Sequence, residues 1–342
     1  MSVTIKDIAK LAKVSHTTVS RALNNSPLIN EKTKSKIKAI AEELNYVPNY
    51  SAKSLVLDKS YTIGLFFSSI NIGTSSSFFY EIVKGVNSVI KENYNLVVKG
   101  IDDYKEFSGI NRQRFDGIIL MSQSDKDNEF IYHMREKEIP LIVLNREMEG
   151  NSLINILADD EQGAFKAVSF LIKNHHKDIA IIEGQEEFKS TKSRRNGFFK
   201  ALINNNIPIR KEYMIKGRYD IKSGYEAMNK LLSLSNIPTA VFCFNDDMAI
   251  GAIKAIFEKG LSVPKDISII GFDDIGFAEY ATPSLTTIKR PLEEISVMGA
   301  EKMIDLIDKK DYKGEKVYIE TELIVRESTC IPGKNHKSLK EK

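Results

Sequence analysis

The chain has 342 residues, 42% hydrophobic and 28% charged, an ordinary folded composition at about twice the length of one typical domain, so two or three domains are expected. Its net charge is only +3, yet residues 1–60 carry ten Lys/Arg against five Asp/Glu, a basic head on a mildly acidic body, as expected where one end meets a polyanion. No apolar run approaches the roughly 18 residues of a membrane span. Residues 1–10 alternate apolar and charged, so a secretory leader is not expected; Cys243 and Cys330 cannot build a disulfide framework or a four-ligand zinc site, and a cytoplasmic protein with reduced thiols is expected.

Residues 1–46 predict three short helices. Thr4 and Asp7 have the spacing of a capping box, followed by an apolar stripe of Ile5, Ile8, Ala9, Leu11 and Ala12. After a break at Lys13-Val14, Ser15 caps a second helix over 17–23, with Val19, Ala22 and Leu23 inward and His16, Thr17, Ser20 and Arg21 outward. Asn30 caps a third over about 31–44, carried by Ile37, Ile40, Ala41 and Leu44. Two helices joined by a tight turn and backed by a third form the helix-turn-helix pattern, which lays its second helix in the DNA major groove. Pro48 ends this unit, and Asn49 can cap a short fourth helix over 50–57 within a linker of residues 47–60.

From residue 61, strand-length apolar runs at 62–67, 95–98, 117–121, 140–144, 154–157, 179–182, 213–215, 240–244 and 267–271 alternate with helical stretches such as 81–91, 161–173, 195–204, 223–232 and 247–257. Nearly continuous apolar strands between helices predict parallel sheets buried on both faces. The number of strands exceeds one comfortable sheet, so two α/β lobes are expected, with a ligand site in the cleft between them.

No Walker loop or Gly-x-Gly-x-x-Gly fingerprint occurs, and His16, His133, His175, His176 and His336 lack metal-ligand spacing; no cofactor or metal is expected. Acid pairs stand at 159–160, 246–247 and 273–274. An enzyme would use such pairs as general acid and base; they serve equally as helix caps or as ligands for sugar hydroxyls. Asn245 and Asp273 follow the two strongest strands of the second lobe, and Arg194 opens the helix expected from 195, a suitable place for a fork of donors. Tyr219, Phe78 and Phe79 are candidate plates for a sugar ring or, equally, core residues.

At this point a resemblance is evident. Val3-Thr4-Ile5-Lys6-Asp7-Ile8-Ala9, Val14-Ser15-His16-Thr17-Thr18-Val19-Ser20-Arg21-Ala22-Leu23-Asn24, Tyr46-Val47-Pro48-Asn49, Asn245-Asp246-Asp247-Met248-Ala249, Gly271-Phe272-Asp273-Asp274 and Leu285-Thr286-Thr287-Ile288 resemble the ordered motifs of the LacI/GalR family of bacterial transcription regulators. The resemblance implies an all-α helix-turn-helix DNA-binding domain (1–46), a hinge helix and linker (47–60), a two-lobed α/β domain with parallel sheets like a periplasmic binding protein (61–331) and a basic tail (332–342). The first lobe would take about 61–157 and 290–317, the second about 158–289 and 318–331. It implies that His16, Thr17 and Arg21 face base edges, that Thr4, Ser15, Ser20, Asn24 and Thr33 hold phosphates, that Asn49 belongs to the DNA-binding hinge, and that Leu55 wedges into the minor groove. For the effector it implies Arg194, Asn245 and Asp273 as hydroxyl ligands, Tyr219 as a stacking ring, and Phe78, Phe79 and Asn145 on the facing lobe. The partners would be a near-palindromic operator duplex, a small carbohydrate effector and a second copy of the chain. A corepressor-dependent or global carbon-catabolite regulator of the same family is the nearest alternative, with a solute-binding protein or a sugar-acting enzyme further off. Three departures stand out. Asn145 replaces a frequent aspartate, His175-His176 replaces Gly-His, and the stretch between Ile101 and Asp116 is shorter by about two helical turns, so one helix of the first lobe is expected to be clipped or missing. The tail lacks leucine heptads, so a dimer is expected.

Overall fold

The structure, a computed structural model, describes residues 3–23, 25–44, 46, 59–71, 73–150, 152–309 and 313–333. The chain divides into a unit of residues 1–59 and a unit of residues 60–342.

In the first unit, α1 (Ile5–Ala12), α2 (His16–Leu23) and α3 (Glu31–Glu43) close over Ile8, Ala9, Ala12, Val19, Ala22, Ile37 and Ala41. The local signals that predict them are realised as hydrogen bonds. The Asp7 carboxylate accepts the Thr4 amide at 2.9 Å, the Ser15 hydroxyl accepts the Thr18 amide at 3.1 Å, and the Asn30 side chain accepts the Thr33 amide at 2.9 Å. The turn between α1 and α2 needs no glycine: Lys13 itself takes the left-handed conformation, φ 57°, and the Lys36 ammonium donates to the Ala12 carbonyl at 3.1 Å. Leu11, expected in the apolar stripe, points outward instead at 58% exposure. Asn24, Asn49, Leu55 and the hinge helix lie outside the described residues.

The second unit holds two six-stranded sheets, in the orders β11-β5-β4-β3-β1-β2 and β12-β10-β9-β8-β6-β7. The first contains β1 (Thr62–Phe67), β2 (Asn95–Gly100), β3 (Gly117–Met121), β4 (Leu141–Leu144), β5 (Ile154–Ala158) and β11 (Lys316–Ile319), and all its pairings are parallel. The second contains β6 (Ile179–Glu183), β7 (Met214–Lys216), β8 (Ala240–Cys243), β9 (Ser268–Asp273) and β10 (Thr286–Lys289) in parallel, with β12 (Glu322–Ile324) antiparallel at its edge. Helices cover the faces: α4 (Ser76–Ile90), α5 (Asn128–Glu136) and α10 (Leu292–Lys309) belong to the first lobe, α6 (Asp160–Lys173), α7 (Lys189–Asn204), α8 (Ile221–Leu232) and α9 (Asp246–Glu258) to the second. None of the helices among the described residues is long and apolar enough to cross a membrane.

The chain passes between the sheets after β5, after β10 and after β11, and side chains tie the three passages together. Asp160 meets Arg290 at 3.1 Å, the Thr321 hydroxyl donates to the Asp159 carbonyl at 3.3 Å, and Lys166 donates to the Thr321 carbonyl at 2.7 Å.

Several expectations change. Helix α4 starts five residues before 81, because the Ser75 hydroxyl caps it by accepting the Phe78 amide within a run of serines whose cap is invisible to periodicity. Helix α7 starts at Lys189, so Arg194 lies in its second turn and not at its start. Between β2 and β3 the described structure has only the 3-10 turn Ile101–Asp103. An aromatic plug fills the space, with buried Ile110 and Phe115 and Phe107 edge-on to Phe130 at 5.2 Å; of the two outcomes expected there, a clipped or a missing helix, the described residues show the second. At the end of α6, His175 adopts φ 67° without a glycine, and the amides of His175 and His176 close onto Ile172 and Leu171. Cys243 is buried and its thiol pushed upward by burial, as expected of an inert structural cysteine.

Candidate functional site

The carboxyl ends of parallel strands deliver the site residues. Gln123 follows β3, Asn145 follows β4, Asn245 follows β8 and Asp273 ends β9, so both lobes turn these ends to one small chamber, with Phe78, Phe188, Ser190, Arg194, Tyr219 and Arg290 in its walls.

Charges at its centre alternate. The Arg194 guanidinium, 2% exposed, lies 3.3 Å from Asp160 and 3.5 Å from Asp273, donates to the Phe244 carbonyl and sits 3.7 Å above the Phe272 ring. Arg290, 6% exposed, reaches Asp160 from the other side, bonds the Asn145 side chain and lies over Phe78 at 5.7 Å. Burial pushes the Asp273 carboxyl up against the pull of Arg194 and Arg290. Tyr219 takes φ 66°, stacks on Phe188 at 5.8 Å and shares its hydroxyl with Thr191 at 2.7 Å. Its ring passes so close to Gly184 that a Cβ there would lie 2.0 Å from ring carbons, so only glycine fits.

Two candidates have different tasks from those the sequence suggests. Asn245 lines the chamber, yet its oxygen accepts the Met248 amide and its nitrogen donates to the Tyr219 carbonyl; it caps α9 and holds Tyr219. Phe79 does not line the chamber: it packs on Phe67 at 5.2 Å in the core of the first lobe, while its neighbour Phe78 turns inward. Arg290, Gln123, Phe188 and Ser190 are not among the residues that the sequence singles out. Gln123 had a usable signal in its position just after the expected strand 117–121; the other three had none.

The chamber encloses about 30 Å³, room for one water, whereas ligand pockets run to about 300–1,000 Å³; a sugar fits only if the lobes part. Its two flanks open into grooves of about 1310 Å³, past Tyr219, Asp247, Phe277 and Tyr280, and about 730 Å³, past Asn145, Ser190 and Tyr318. At the first mouth Asp247 bonds Ser75 of the facing lobe, and burial followed by the charge of Asp273 pushes its carboxyl up to about 6 from an ordinary 3.8. Ionised Asp247 therefore opposes folding above pH 6, and that opposition fades as the pH falls toward 4. Asp247→Asn should melt a few degrees above the native chain at pH 7.5, with the gap closing by pH 4.5; a gap independent of pH in differential scanning calorimetry contradicts the shift.

On the other unit, α2 presents His16, Thr17 and Arg21 exposed and Ser20 half-buried on one face, with Thr4 and Ser15 exposed nearby in sequence and Thr33 half-buried at the start of α3. Its opposite face, Val19 and Ala22, is core.

Residues 4–49 match the model of the bacterial regulatory proteins of the lacI family, and residues 168–329 match a periplasmic binding protein-like domain. The "Probable HTH-type transcriptional repressor ExuR" of Bacillus subtilis (strain 168) is 61% identical over 326 residues, 95% of this chain and 98% of that protein. The chain belongs to the LacI family. Among solved structures, the lac repressor dimer bound to operator and the anti-inducer ONPF is 29% identical with a TM-score of 0.80, covering 96% of this chain and all of that one. The complex of the regulator CelR with cellobiose is 27% identical with a TM-score of 0.73 over 95% and 99%. As LacI-family regulators are not enzymes, the acid pairs need another account, and the geometry supplies it. Asp159 caps α6 by accepting the Gln162 amide. Asp246, wholly buried, holds the Thr287 hydroxyl at 2.5 Å and the Ile275 amide at 2.8 Å, with its carboxyl pushed far up by burial. Asp160 and Asp273 neutralise the two arginines.

Proposed function

We propose that the chain is a homodimeric transcriptional repressor of the cytoplasm that grips a near-palindromic operator with two helix-turn-helix heads and releases it when a small carbohydrate enters the chamber between its lobes. The observation that carries this is the pairing, in one chain, of an outward polar recognition face with an interlobe chamber of opposed arginines and carboxylates beside a stacked Tyr219–Phe188 pair, the groups that bind hydroxyls and cover a sugar ring. His16, Thr17 and Arg21 read base edges; Thr4, Ser15, Ser20, Asn24 and Thr33 hold phosphates; Asn49 and Leu55 act in the hinge. In the chamber, Arg194, Asp273 and Arg290 bind ligand hydroxyls and Tyr219 stacks, while Asn145 and Asn245 position their neighbours.

The nearly closed chamber favours induction over corepression. A ligand shifts the equilibrium only by its differential affinity for the two arrangements, and one that needs parted lobes favours the arrangement with more room. Melting the purified chain against a panel of sugars tests the reading, since a sugar at 100 times its dissociation constant adds about 2.7 kcal/mol; the same sugar should then free an operator fragment in a gel. A sugar that tightens operator binding establishes the corepressor alternative, and no melting shift with any sugar refutes the chamber assignment.

The second copy covers the exposed rings Phe257 (44%), Phe277 (71%) and Tyr280 (80%), an apolar cluster unusual on a monomer surface; the similar lac repressor structure is a dimer. The double change Phe277→Asp, Tyr280→Asp should convert a dimer to a monomer in light scattering, and an unchanged mass places the interface elsewhere.

A further inference from the structure

Gln123 stands where the lobes touch. It follows β3 of the first lobe, and its main chain is held from beneath: its amide donates to the Ser68 hydroxyl at 2.8 Å and to Asp127 at 3.1 Å. Asp127 also accepts the hydroxyls of Ser68 and Ser122, both at 2.6 Å. The Gln123 carbonyl accepts the amide of Lys189 at 3.0 Å, the first residue of α7, so a single backbone bond joins this floor to the second-lobe helix that carries Arg194. The side chain, 7% exposed, faces the chamber. Its nitrogen reaches the Gly73 carbonyl at 3.4 Å, and its oxygen is buried without a hydrogen-bond partner. Buried acceptors in native proteins find water or a ligand.

We propose that Gln123 reads the bound sugar and couples its occupancy to the seam between the lobes, its side-chain oxygen accepting one sugar hydroxyl while its main-chain carbonyl anchors the second lobe through Lys189. The inference rests on the chamber being the carbohydrate site. A sugar hydroxyl takes the place of a single water at the orphaned oxygen, and because the same residue holds the amide of α7, any shift that improves the sugar contact is transmitted to the start of that helix.

The probe is whichever sugar, from a panel of neutral and acidic mono- and disaccharides, most raises the melting temperature of the native chain. Gln123→Met, of similar length without polar atoms, should bind it about tenfold more weakly by calorimetry, the worth of one hydrogen bond to a ligand. Monodeoxy analogues of that sugar then form a cycle: for one position, removing the hydroxyl weakens binding to the native chain but not to the methionine variant. If every analogue loses equally in both, Gln123 accepts nothing from the sugar and the proposal is overturned; should the methionine variant not fold, Gln123→Ala, which likewise lacks the acceptor, carries the same cycle. The seam is tested at Lys189. Phe188 is already extended, φ −78° and ψ 132°, and proline is tolerated at the first position of a helix, so Lys189→Pro deletes the amide donor and leaves α7 intact. It should shrink the sugar-dependent change in operator affinity at least fivefold, whereas Lys189→Ala, which keeps the amide, should not; equal behaviour of the two variants overturns the coupling. Absence of any sugar that binds the native chain is a different failure, and it removes the carbohydrate reading together with this inference.

Discussion

Arg194→Ala is expected to leave the operator bound at sugar concentrations that free it from the native chain, and to lower the melting temperature by about 10 °C. Removing the guanidinium deprives nearly buried Asp273 of the cation 3.5 Å from it, leaves Asp160 to Arg290 alone, and leaves the Phe244 carbonyl without its donor. Breaking a buried pair by deleting one partner costs about 3–5 kcal/mol, and each kcal/mol shifts the melting point of a large domain by about 2–4 °C. The loss has a definite pH signature. Burial already pushes the Asp273 carboxyl up, and without Arg194 its ionised form is opposed further, so the deficit should shrink as the pH is lowered. Arg194→Lys should recover part of the stability and little of the sugar response, because an ammonium cannot reproduce the fork that serves two carboxylates and a carbonyl together. A melting point within 2 °C of native, with normal release by sugar, contradicts the assignment.

Arg21→Ala should cost the operator far more than it costs random DNA. The side chain is exposed on the outward face of α2, and one base-edge contact is worth about 1–3 kcal/mol. A dimer on a near-palindrome makes the contact twice, so about 2–6 kcal/mol, or about thirtyfold to twenty-thousandfold, is expected in gel retardation at fixed salt. Random-sequence DNA, held through phosphates, should weaken only modestly and mostly at low salt. Equal losses on operator and random DNA mean that Arg21 touches a phosphate instead.

Much of the molecule was legible in advance because its signals are local. Thr4-Asp7, Ser15 and Asn30 each satisfy an amide three residues away, so the helix starts follow from spacing alone. Strands β1 and β3 match their apolar runs residue for residue, since burial on both faces demands an unbroken apolar run. The carboxyl ends of such strands point to the cleft by topology, which is why Asn245 and Asp273 could be expected on the chamber wall.

The sequence by itself therefore determined the helix-turn-helix unit, the alternation of strand and helix, the kinship and most of the cleft's outline. Tertiary structure alone decided which side chains stand free. Asn245 is consumed by Met248 and Tyr219, Phe79 by the core and Asn145 by Arg290 and the Ser122 carbonyl, whereas Gln123 keeps an open acceptor. The physical reason is that a hydrogen-bonding atom serves a ligand only when no neighbour has taken it, and those neighbours come from segments up to 145 positions apart, joined by three passages of the chain that no local pattern encodes.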